Sequence, residues 1–311
     1  MLTQAVPTFY FFGVTTGKSS SRRMFPAWAQ ILGLGAAQWV GVDLPLNAPL
    51  EQYRAAVEQI KRDPLSMGAL VTTHKVNVLE AAHDLFDELS PEAALCHEVS
   101  CIYKRGGKLI GHAVDPYTSA QSMAQFIPPA YWSEHGAEIL CLGAGGSAVA
   151  IVTHFLTRAA PPDRPRKLTL VNRSAGKLDF IRKLVASLPD SGIHFDYVQN
   201  TDPAVNDSLM AALPPGSMVI NATGMGKDLP GSPITDSGLF PLEGIAWELN
   251  YRGELDFLHQ ARRQIEARRL RVEDGWYYFV LGWAEIVGTV FDVTITPAQF
   301  DQLAAAAEAI R

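Results

Sequence analysis

Short apolar runs alternate with stretches of helical periodicity along the first third of the chain. Apolar runs predict strands there, and apolar positions recurring every three or four residues predict helices. In chain order these elements are predicted at 9–14, 24–34, 39–44, 50–62, 68–73 and 76–89. A hairpin at 100–104 and 108–114, with Gly106 and Gly107 in its turn, follows and leads directly to Asp115. This pattern predicts a small α/β domain.

The middle of the chain shows a second series of strands and helices. A helix is predicted at 117–126, and an apolar strand follows around Ile139. Further strands are predicted at 168–171, 195–198, 218–222 and 245–249. Strands that alternate with helices favour a parallel, right-handed, doubly wound sheet.

The last part of the chain predicts two helices, at 275–290 and 297–310. The first is apolar nearly all round and belongs in an interior, so we expect it to pack against the first lobe or across the cleft between the lobes. With 311 residues the chain can form two domains that each bury a core. We therefore predict an α/β protein with a substrate domain of residues 1–116 and 272–311 and a cofactor domain of residues 117–271.

Composition and charge narrow the class of protein. Hydrophobic residues make up 48% and charged residues 19% of the chain, and the net charge is −6. This balance argues against nucleic-acid and membrane partners and favours a protein that handles small molecules. The apolar run at 9–12 is too short to span a bilayer and no targeting segment is recognisable, so we expect a cytoplasmic protein. Cys96, Cys101 and Cys141 lack metal-ligand spacing, so we interpret them as structural thiols and expect no metal.

A strand, a glycine turn and a helix of small residues follow one another between Ala137 and Ala150. The turn contains Gly143, Gly145 and Gly146. Glycines let such a turn fold tightly and bring backbone N–H groups close to phosphate oxygens, and the dipole of the next helix adds positive potential. The order of these elements predicts a Rossmann-type dinucleotide-binding domain.

The end of the second strand of this domain bears on the choice of cofactor. In this fold a carboxylate there accepts the ribose 2′-OH of NAD, whereas arginine suits the 2′-phosphate of NADP. The sequence here is Asn172-Arg173-Ser174, with Lys177 one turn later, and no carboxylate stands among them. We therefore predict NADP. NAD stays open, since Arg173 can stack on adenine, and a solvated helix start is the alternative interpretation.

A second polar turn, Asn221-Ala-Thr-Gly-Met-Gly226, follows the strand predicted at 218–222. Ligands bind beyond the carboxyl ends of strands in this fold, so the turn is expected to border the nicotinamide half of the cleft. The alternative is an Asx turn with structural glycines.

These segments together resemble the shikimate dehydrogenase family over nearly the whole chain. The stretch Gly13-Val-Thr-Thr-Gly-Lys-Ser19-Ser-Ser21 resembles the family's G-x-P-I-x-H-S-x-S, and Val71-Thr-Thr-His-Lys75 resembles its V-T-x-P-x-K. Ala113-Val-Asp115 stands where the family has N-T-D. Asn172-Arg-Ser174 is similar to N-R-T, and Gly143-Ala-Gly-Gly146 and Asn221-Ala-Thr223 match outright. The resemblance implies hydride transfer between NADP or NAD and a ring hydroxyl.

The resemblance also implies a role for individual residues. Lys75 would be the acid/base and Asp115 its orienting partner. The substrate carboxylate and hydroxyls would meet Ser19, Ser21, Thr72, Ser100, Tyr251 and Tyr278. The cofactor would meet Gly143, Ala144, Gly145, Gly146, Ser147, Ala148, Asn172, Arg173, Ser174, Lys177, Asn221, Ala222, Thr223, Gly224, Met225 and Gly275. For Ser19 and Ser21 a helix cap near Met24 is the alternative.

The chain departs from the family at several substrate positions. Leu70 replaces an asparagine, His74 a proline and Ser100 an asparagine, and Lys75 follows Thr72 by three residues instead of four. Near the C-terminus, Gly275-Trp-Tyr-Tyr-Phe-Val-Leu-Gly282 lacks the family's glutamine and gains three aromatic residues, which packing of a buried helix would also explain. Lost hydrogen-bonding groups favour a substrate with fewer hydroxyls, because an orphaned buried polar group costs roughly 1–3 kcal/mol.

The sequence thus predicts a shikimate-dehydrogenase-like oxidoreductase, monomeric or homodimeric, that acts on a small carboxylate. Shikimate with 3-dehydroshikimate, quinate, or a less hydroxylated relative is the expected substrate, and aromatic amino acid biosynthesis is the pathway that the resemblance implies. A catalytically silent dinucleotide-binding or sensing protein on the same fold is the alternative. The lost polar positions favour that alternative, whereas retention of both Lys75 and Asp115 argues against it.

Overall fold

The computed structural model describes residues 3–227 and 229–311. In this part of the chain the strands are β1 (Thr8–Gly13), β2 (Gln38–Asp43), β3 (Ser66–Val71), β4 (Glu88–Leu89), β5 (Cys101–Arg105), β6 (Lys108–His112), β7 (Ile139–Leu142), β8 (Lys167–Asn172), β9 (His194–Gln199), β10 (Met218–Asn221), β11 (Ile245–Glu248) and β12 (Arg271–Glu273).

The α-helices of the described residues are α1 (Ser21–Ile31), α2 (Leu50–Arg62), α3 (Lys75–Ala82), α4 (Pro91–Cys96), α5 (Asp115–Met123), α6 (Tyr131–His135), α7 (Gly146–Thr157), α8 (Ala175–Ala186), α9 (Pro203–Ala211), α10 (Asp256–Arg262), α11 (Ile265–Arg268), α12 (Trp276–Phe291) and α13 (Pro297–Glu308). Short 3₁₀ helices occur at Thr16–Lys18, His83–Leu85 and Pro161–Asp163. No helix in the described ranges is long and apolar enough to cross a membrane.

The chain forms two compact units. Unit 1 consists of Met1–Thr118 and Val280–Arg311, and unit 2 of Ser119–Phe279. Helices α5 and α12 therefore each have residues in both units.

Unit 1 contains a mixed six-stranded sheet in the order β2-β1-β3-β5-β6-β4. Strands β2, β1 and β3 are parallel, whereas β5 runs antiparallel to both β3 and β6. The core on one side of this sheet includes Tyr53, Val57 and Ile60 from α2, which are all fully buried. The parallel part of the sheet brings the carboxyl ends of β1, β2 and β3 to one edge.

The apolar helix α12 packs on β1 within unit 1, as the sequence predicts. The ring of Trp283 lies 5.8 Å from that of Phe9 and 5.2 Å from that of Phe11, measured between centroids. Helix α13 packs on α1, where the indole N–H of Trp28 donates to the carbonyl of Leu303 at 3.0 Å. Residues far apart in sequence thus complete the core of unit 1.

Unit 2 contains a six-stranded parallel sheet in the order β12-β11-β10-β7-β8-β9. Numbered within the unit and taken from the opposite edge, this is the order 3-2-1-4-5-6 of a Rossmann domain. The order reverses between β7 and β10, and ligands bind beyond the carboxyl ends of the strands at such a point. The predicted doubly wound sheet is confirmed.

Most predicted elements are confirmed, and the helix predicted at 50–62 has those bounds in the structure. The helix predicted at 76–89 is wrong in its second half, because α3 ends at Ala82. Glu88 and Leu89 instead form β4 and pair with Ile110 and Gly111 of β6. That short strand depends on a tertiary partner that the local pattern does not reveal.

The three cysteines are buried and form no disulfide. Burial raises the pKa of the Cys141 thiol to about 12. Cys141 therefore stays a protonated, unreactive thiol at neutral pH, as expected of a structural cysteine.

Candidate functional site

Lys75 and Asp115 form an ion pair in unit 1. Lys75 begins α3, shortly after the end of β3, and Asp115 begins α5, shortly after the end of β6. The Lys75 Nζ donates a hydrogen bond to Asp115 Oδ2, and the two side chains are 20% and 13% exposed. The pair is therefore largely sheltered from water but still accessible, which suits a proton-transferring group.

Backbone hydrogen bonds hold both members of the pair. The N–H of Val99 donates to the Lys75 carbonyl at 3.1 Å, and the N–H of Val114 donates to Ser100 Oγ at 2.9 Å. The Ser100 hydroxyl in turn donates to the His112 carbonyl at 3.4 Å. Ser100 is buried, and its hydroxyl stabilises the chain just before Asp115. Its predicted contact with substrate stays a prediction.

Ser19 and Ser21 lie together at the start of α1. Their Oγ atoms are 2.7 Å apart, and Ser19 Oγ also accepts a hydrogen bond from the Ser21 N–H at 3.3 Å. The N-cap position is Ser20, which makes no side-chain capping bond. Thr72 follows β3, and its N–H donates to the Phe12 carbonyl at 3.1 Å. The two serine hydroxyls are thus close enough to meet one carboxylate together.

His74, which replaces the family's proline, points into the core of unit 1. It is 1% exposed, and its Nδ1 lies 3.2 Å from the Tyr53 hydroxyl. Burial lowers the pKa of His74 below its usual value, so the ring is neutral at pH 7. His74 therefore contributes packing to the core of unit 1 and places no charge beside Lys75.

Tyr251 and Tyr278 lie among aromatic rings of unit 2. The Tyr251 ring stacks on Phe279 at a centroid distance of 4.2 Å and lies 5.6 Å from Trp276. The Tyr278 ring meets Trp247 edge-on at 5.9 Å. Both tyrosines are partly exposed, and their predicted contacts with substrate stay predictions.

A cavity of about 610 Å³ lies in unit 2 at the carboxyl ends of the parallel strands. This volume falls within the usual range for a ligand pocket. Its lining includes residues that follow β7, β8, β9 and β10. Of the predicted cofactor residues it contains Gly143, Ala144, Gly145, Ser147, Asn172, Arg173, Lys177, Asn221, Ala222, Thr223, Gly224 and Met225.

The glycine turn approaches the neighbouring strand end closely. Gly143 has φ +110°, a conformation that L side chains rarely adopt, and a Cβ atom there would lie 2.5 Å from the Ala222 carbonyl oxygen. Its N–H donates to the Val171 carbonyl at 2.7 Å. A Cβ atom on Gly145 would meet no protein atom within 4 Å. The turn therefore leaves open space beside Gly145, where α7 begins, and fits a pyrophosphate.

Positive charge lines the part of the cavity beside β8. Arg173 and Lys177 are exposed there, and Lys227 lies on the wall formed after β10. No carboxylate is among the lining residues in the described ranges. Asn172 connects this wall to the glycine turn, because its Oδ1 accepts a hydrogen bond from the Ala144 N–H at 3.3 Å. The charge pattern fits a phosphate ester better than a neutral ribose.

Glu248 supports the turn that follows β10 and is fully buried. Its Oε2 accepts a hydrogen bond from Asn221 Nδ2 at 2.7 Å, and its Oε1 accepts two from Asn250, from N at 2.8 Å and Nδ2 at 2.7 Å. Asn221 Oδ1 accepts from both N and Oγ1 of Thr223, and Asn250 Nδ2 also donates to the Met225 carbonyl. This network fixes one wall of the cavity.

The buried Glu248 predicts a pH-dependent stability. Burial raises its pKa from 4.5 to about 7, although the bonds from Asn250 and Asn221 partly oppose the shift. The folded protein therefore keeps a proton that the unfolded chain loses above pH 4.5. The contribution of Glu248 to the free energy of unfolding therefore declines as the pH rises from 4.5 through 7, by about 3 kcal/mol in total.

Denaturant unfolding of the wild type and of Glu248→Gln at several pH values tests this expectation. The free energy of unfolding of the wild type should fall relative to that of Glu248→Gln over that pH range, since glutamine does not titrate. Glu266→Gln, at an exposed position of the same unit, should follow the wild type. A difference between wild type and Glu248→Gln that stays constant with pH would contradict the expectation.

Four predicted cofactor residues do not line the cavity: Gly146, Ala148, Ser174 and Gly275. Gly146 starts α7, and Ala148 is buried within it. Gly275 has a packing role, because a Cβ atom there would overlap the Leu249 carbonyl oxygen. The roles of all four in cofactor binding stay predictions.

Several residues of these sites were not predicted from the sequence. Asn200 and Thr201 follow β9 and line the cavity, and the rule that ligands lie beyond strand ends would have indicated them. Asn250 and Glu248 meet Asn221 only through tertiary contacts. Glu98, which lies near Lys75, carries no local signal either.

Comparisons with known proteins agree with these features, although no family model matches the chain. A relative from Sphingopyxis alaskensis named shikimate dehydrogenase (NADP(+)) is 30% identical over 274 residues, covering 87% of this chain and 86% of the relative. One of the same name from Streptococcus thermophilus is 29% identical and covers 73% of this chain and 74% of the relative. Shikimate 5-dehydrogenase from Thermus thermophilus, solved with NADP(H) and shikimate, has a TM-score of 0.68 at 21% identity, covering 96% of this chain and 99% of that chain.

The strand order of unit 2 and its glycine turn define a Rossmann-type domain. The sequence identity and coverage of the relatives also show the family. The chain belongs to the shikimate dehydrogenase family.

Proposed function

We propose that this protein is an NADP-dependent oxidoreductase that transfers a hydride between nicotinamide and a ring hydroxyl or ketone of a cyclic hydroxy acid. The ion pair of Lys75 with Asp115 is the observation that carries the proposal. It joins residues forty positions apart, at the starts of two helices, within a family whose relatives are named dehydrogenases. Unit 1 would bind the carboxylate substrate and unit 2 the dinucleotide.

Lys75 would handle the proton of the reaction. The bound nicotinamide supplies or accepts the hydride. In the reductive direction an N–H bond of the Lys75 ammonium breaks and an O–H bond forms on the substrate oxygen, so that the ketone becomes an alcohol. Lys75 then regains a proton from solvent, while Asp115 holds the amine in place.

The residues of unit 1 favour a substrate with few hydroxyls. Shikimate, quinate and less hydroxylated relatives all carry the carboxylate that Ser19 and Ser21 would bind. Leu70 and Ala113 offer no side-chain hydrogen bonds, and the Ser100 hydroxyl already bonds to two backbone groups. Each unpaired substrate hydroxyl would cost roughly 1–3 kcal/mol if buried. The structure therefore supports a less hydroxylated acid over shikimate itself.

Arg173 and Lys177 support NADP as the cofactor. Both cations line the cavity beside the end of β8, where the 2′-phosphate of NADP would lie. The relatives from Sphingopyxis alaskensis and Streptococcus thermophilus are named for NADP(+). The glycine turn at Gly143 and Gly145 would hold the pyrophosphate.

Arg173→Ala is expected to weaken NADP binding about 10- to 100-fold, because a hydrogen bond to a charged group contributes about 1.5–3 kcal/mol. The Kd of NAD should change little, since NAD lacks the 2′-phosphate. Calorimetric titration of both dinucleotides measures the two values. Arg182→Ala, at an exposed arginine of the same unit outside the cavity, should leave both unchanged. An equal loss for NADP and NAD would indicate that Arg173 stacks on adenine instead.

The test of the proposed function is nicotinamide reduction by the purified protein. NADP⁺ and NAD⁺ are offered separately with shikimate, quinate and less hydroxylated cyclic hydroxy acids. Turnover with NADP⁺ would support the proposal, and the preferred acid would identify the substrate. If no acid is oxidised while the dinucleotide still binds, the protein is a silent dinucleotide-binding or sensing member of the family.

A further inference from the structure

A second carboxylate, Glu98, lies beside the ammonium of Lys75. Glu98 follows α4, whose C-cap His97 adopts a left-handed conformation with φ +54°, and it precedes β5. Its side chain is 3% exposed, and its Oε1 lies 3.7 Å from Lys75 Nζ. That oxygen is buried and has no hydrogen-bond partner among the described residues. Glu98 therefore faces Lys75 from a different element than Asp115 does.

Burial of Glu98 needs an explanation, because glutamate is almost never fully buried unless it is paired. Lys75 is its ion-pair partner in the described part of the chain. A buried ion pair is often no more stabilising than apolar residues of similar volume. Stability alone therefore explains poorly why a carboxylate occupies this position.

The backbone around Glu98 also connects it to the catalytic pair. The N–H of Val99, the next residue, donates to the Lys75 carbonyl. The N–H of Glu98 itself donates to the Ala93 carbonyl at 3.2 Å, which fixes it to α4. Ser100 then bonds to the chain before Asp115. The segment 98–100 thus holds a fixed position relative to both Lys75 and Asp115.

We propose that Glu98 is a positioning residue that holds the Lys75 ammonium together with Asp115. This inference rests on the proposed role of Lys75 as the acid/base. An ammonium has three N–H donors. Asp115 accepts a hydrogen bond from one of them. The Glu98 carboxylate, whose Oε1 lies 3.7 Å from Nζ, attracts the ammonium from a second element without a hydrogen bond, which restricts how the amine can turn and leaves another N–H to donate to the substrate oxygen. Glu98 touches neither substrate nor cofactor in this arrangement and acts only through Lys75.

Glu98→Gln tests the proposal in ketone reduction, with Glu80→Gln as the matched control. Glu80 is exposed on α3, the helix that Lys75 begins. Glu98→Gln should lower kcat about 10- to 100-fold, because the proton donor is misaligned, and leave the KM of the ketone nearly unchanged. Glu80→Gln should match the wild type in both quantities.

A measurement without turnover separates this inference from the proposed function. Acetylation of the Lys75 amine by acetic anhydride at pH 8, quantified by mass spectrometry, should be faster in Glu98→Gln than in wild type or Glu80→Gln, because Asp115 alone would then hold the amine. If the wild type turns over no acid or ketone, the proposed function fails and the labelling rate alone decides on Glu98. If Glu98→Gln lowers the melting temperature but changes neither kcat nor the labelling rate, Glu98 is merely structural and the inference is overturned.

Discussion

Replacing Lys75 with alanine is expected to lower kcat about 10²- to 10⁴-fold, the usual contribution of a positioned acid or base. The alanine variant has no group at this position that can give a proton to the substrate oxygen as the hydride arrives. Lys75 is not among the residues that line the cavity proposed for the dinucleotide. The Kd of NADP should therefore change less than about twofold. Steady-state kinetics and calorimetric titration of the same preparations measure the two quantities.

Lys108→Ala is the matched control for this experiment. Lys108 is an exposed lysine of the same unit, paired with Glu88 on the surface. Its loss should leave kcat unchanged, because exposed ion pairs contribute little to stability. Full activity in Lys75→Ala would contradict the proposed acid/base role. A parallel loss of activity in both variants would point to a general loss of structure.

Gly143→Ala is expected to damage both the fold and the dinucleotide site. A methyl group there would lie 2.5 Å from the Ala222 carbonyl oxygen, and the residue would keep φ +110°. Backbone strain of this kind costs about 1–3 kcal/mol. If the turn moves to relieve it, the backbone N–H groups lose their alignment, and the Kd of NADP should rise about 100-fold. Urea unfolding and calorimetric titration measure the two effects.

Gly145→Ala separates binding from stability. A Cβ atom at Gly145 meets no protein atom within 4 Å, and its φ of −84° is open to any residue. Its free energy of unfolding should therefore stay within about 1 kcal/mol of the wild type. The methyl group would still stand beside the proposed pyrophosphate site and weaken NADP binding. Unchanged NADP affinity in both glycine variants would mean that this turn does not hold the cofactor.

The sequence predicts those parts of the fold that have a local cause. Helix α2 has the predicted bounds because its buried residues Tyr53, Val57 and Ile60 recur at helical spacing. The two-residue β4 and the three-residue β12 have no such period, since each exists only through its pairing with β6 or β11. The antiparallel pairing of β5 with β3 is likewise decided by tertiary contacts and not by a local sequence pattern.

The same difference separates the site residues that are predictable from those that are not. Gly143 and Asn221 could be predicted because their residue types recur at fixed places after a strand. Glu98 and Glu248 could not, since a lone glutamate in a sequence is usually a solvated surface group. Only the folded chain shows that each is buried, one beside Lys75 and the other beneath the turn after β10.

The division of unit 1 into two separate stretches of sequence has a consequence for synthesis on the ribosome. Unit 2 is one continuous stretch, so all of its strands are available as soon as residue 279 has left the exit tunnel. The core of unit 1 cannot be completed until residues 280–311 have been synthesised, because Phe9 packs against Trp283 and the indole N–H of Trp28 donates to the Leu303 carbonyl. Large apolar side chains of the first part of the chain therefore stay uncovered while the Rossmann domain is made, and nascent chains held at this stage are the ones exposed to aggregation.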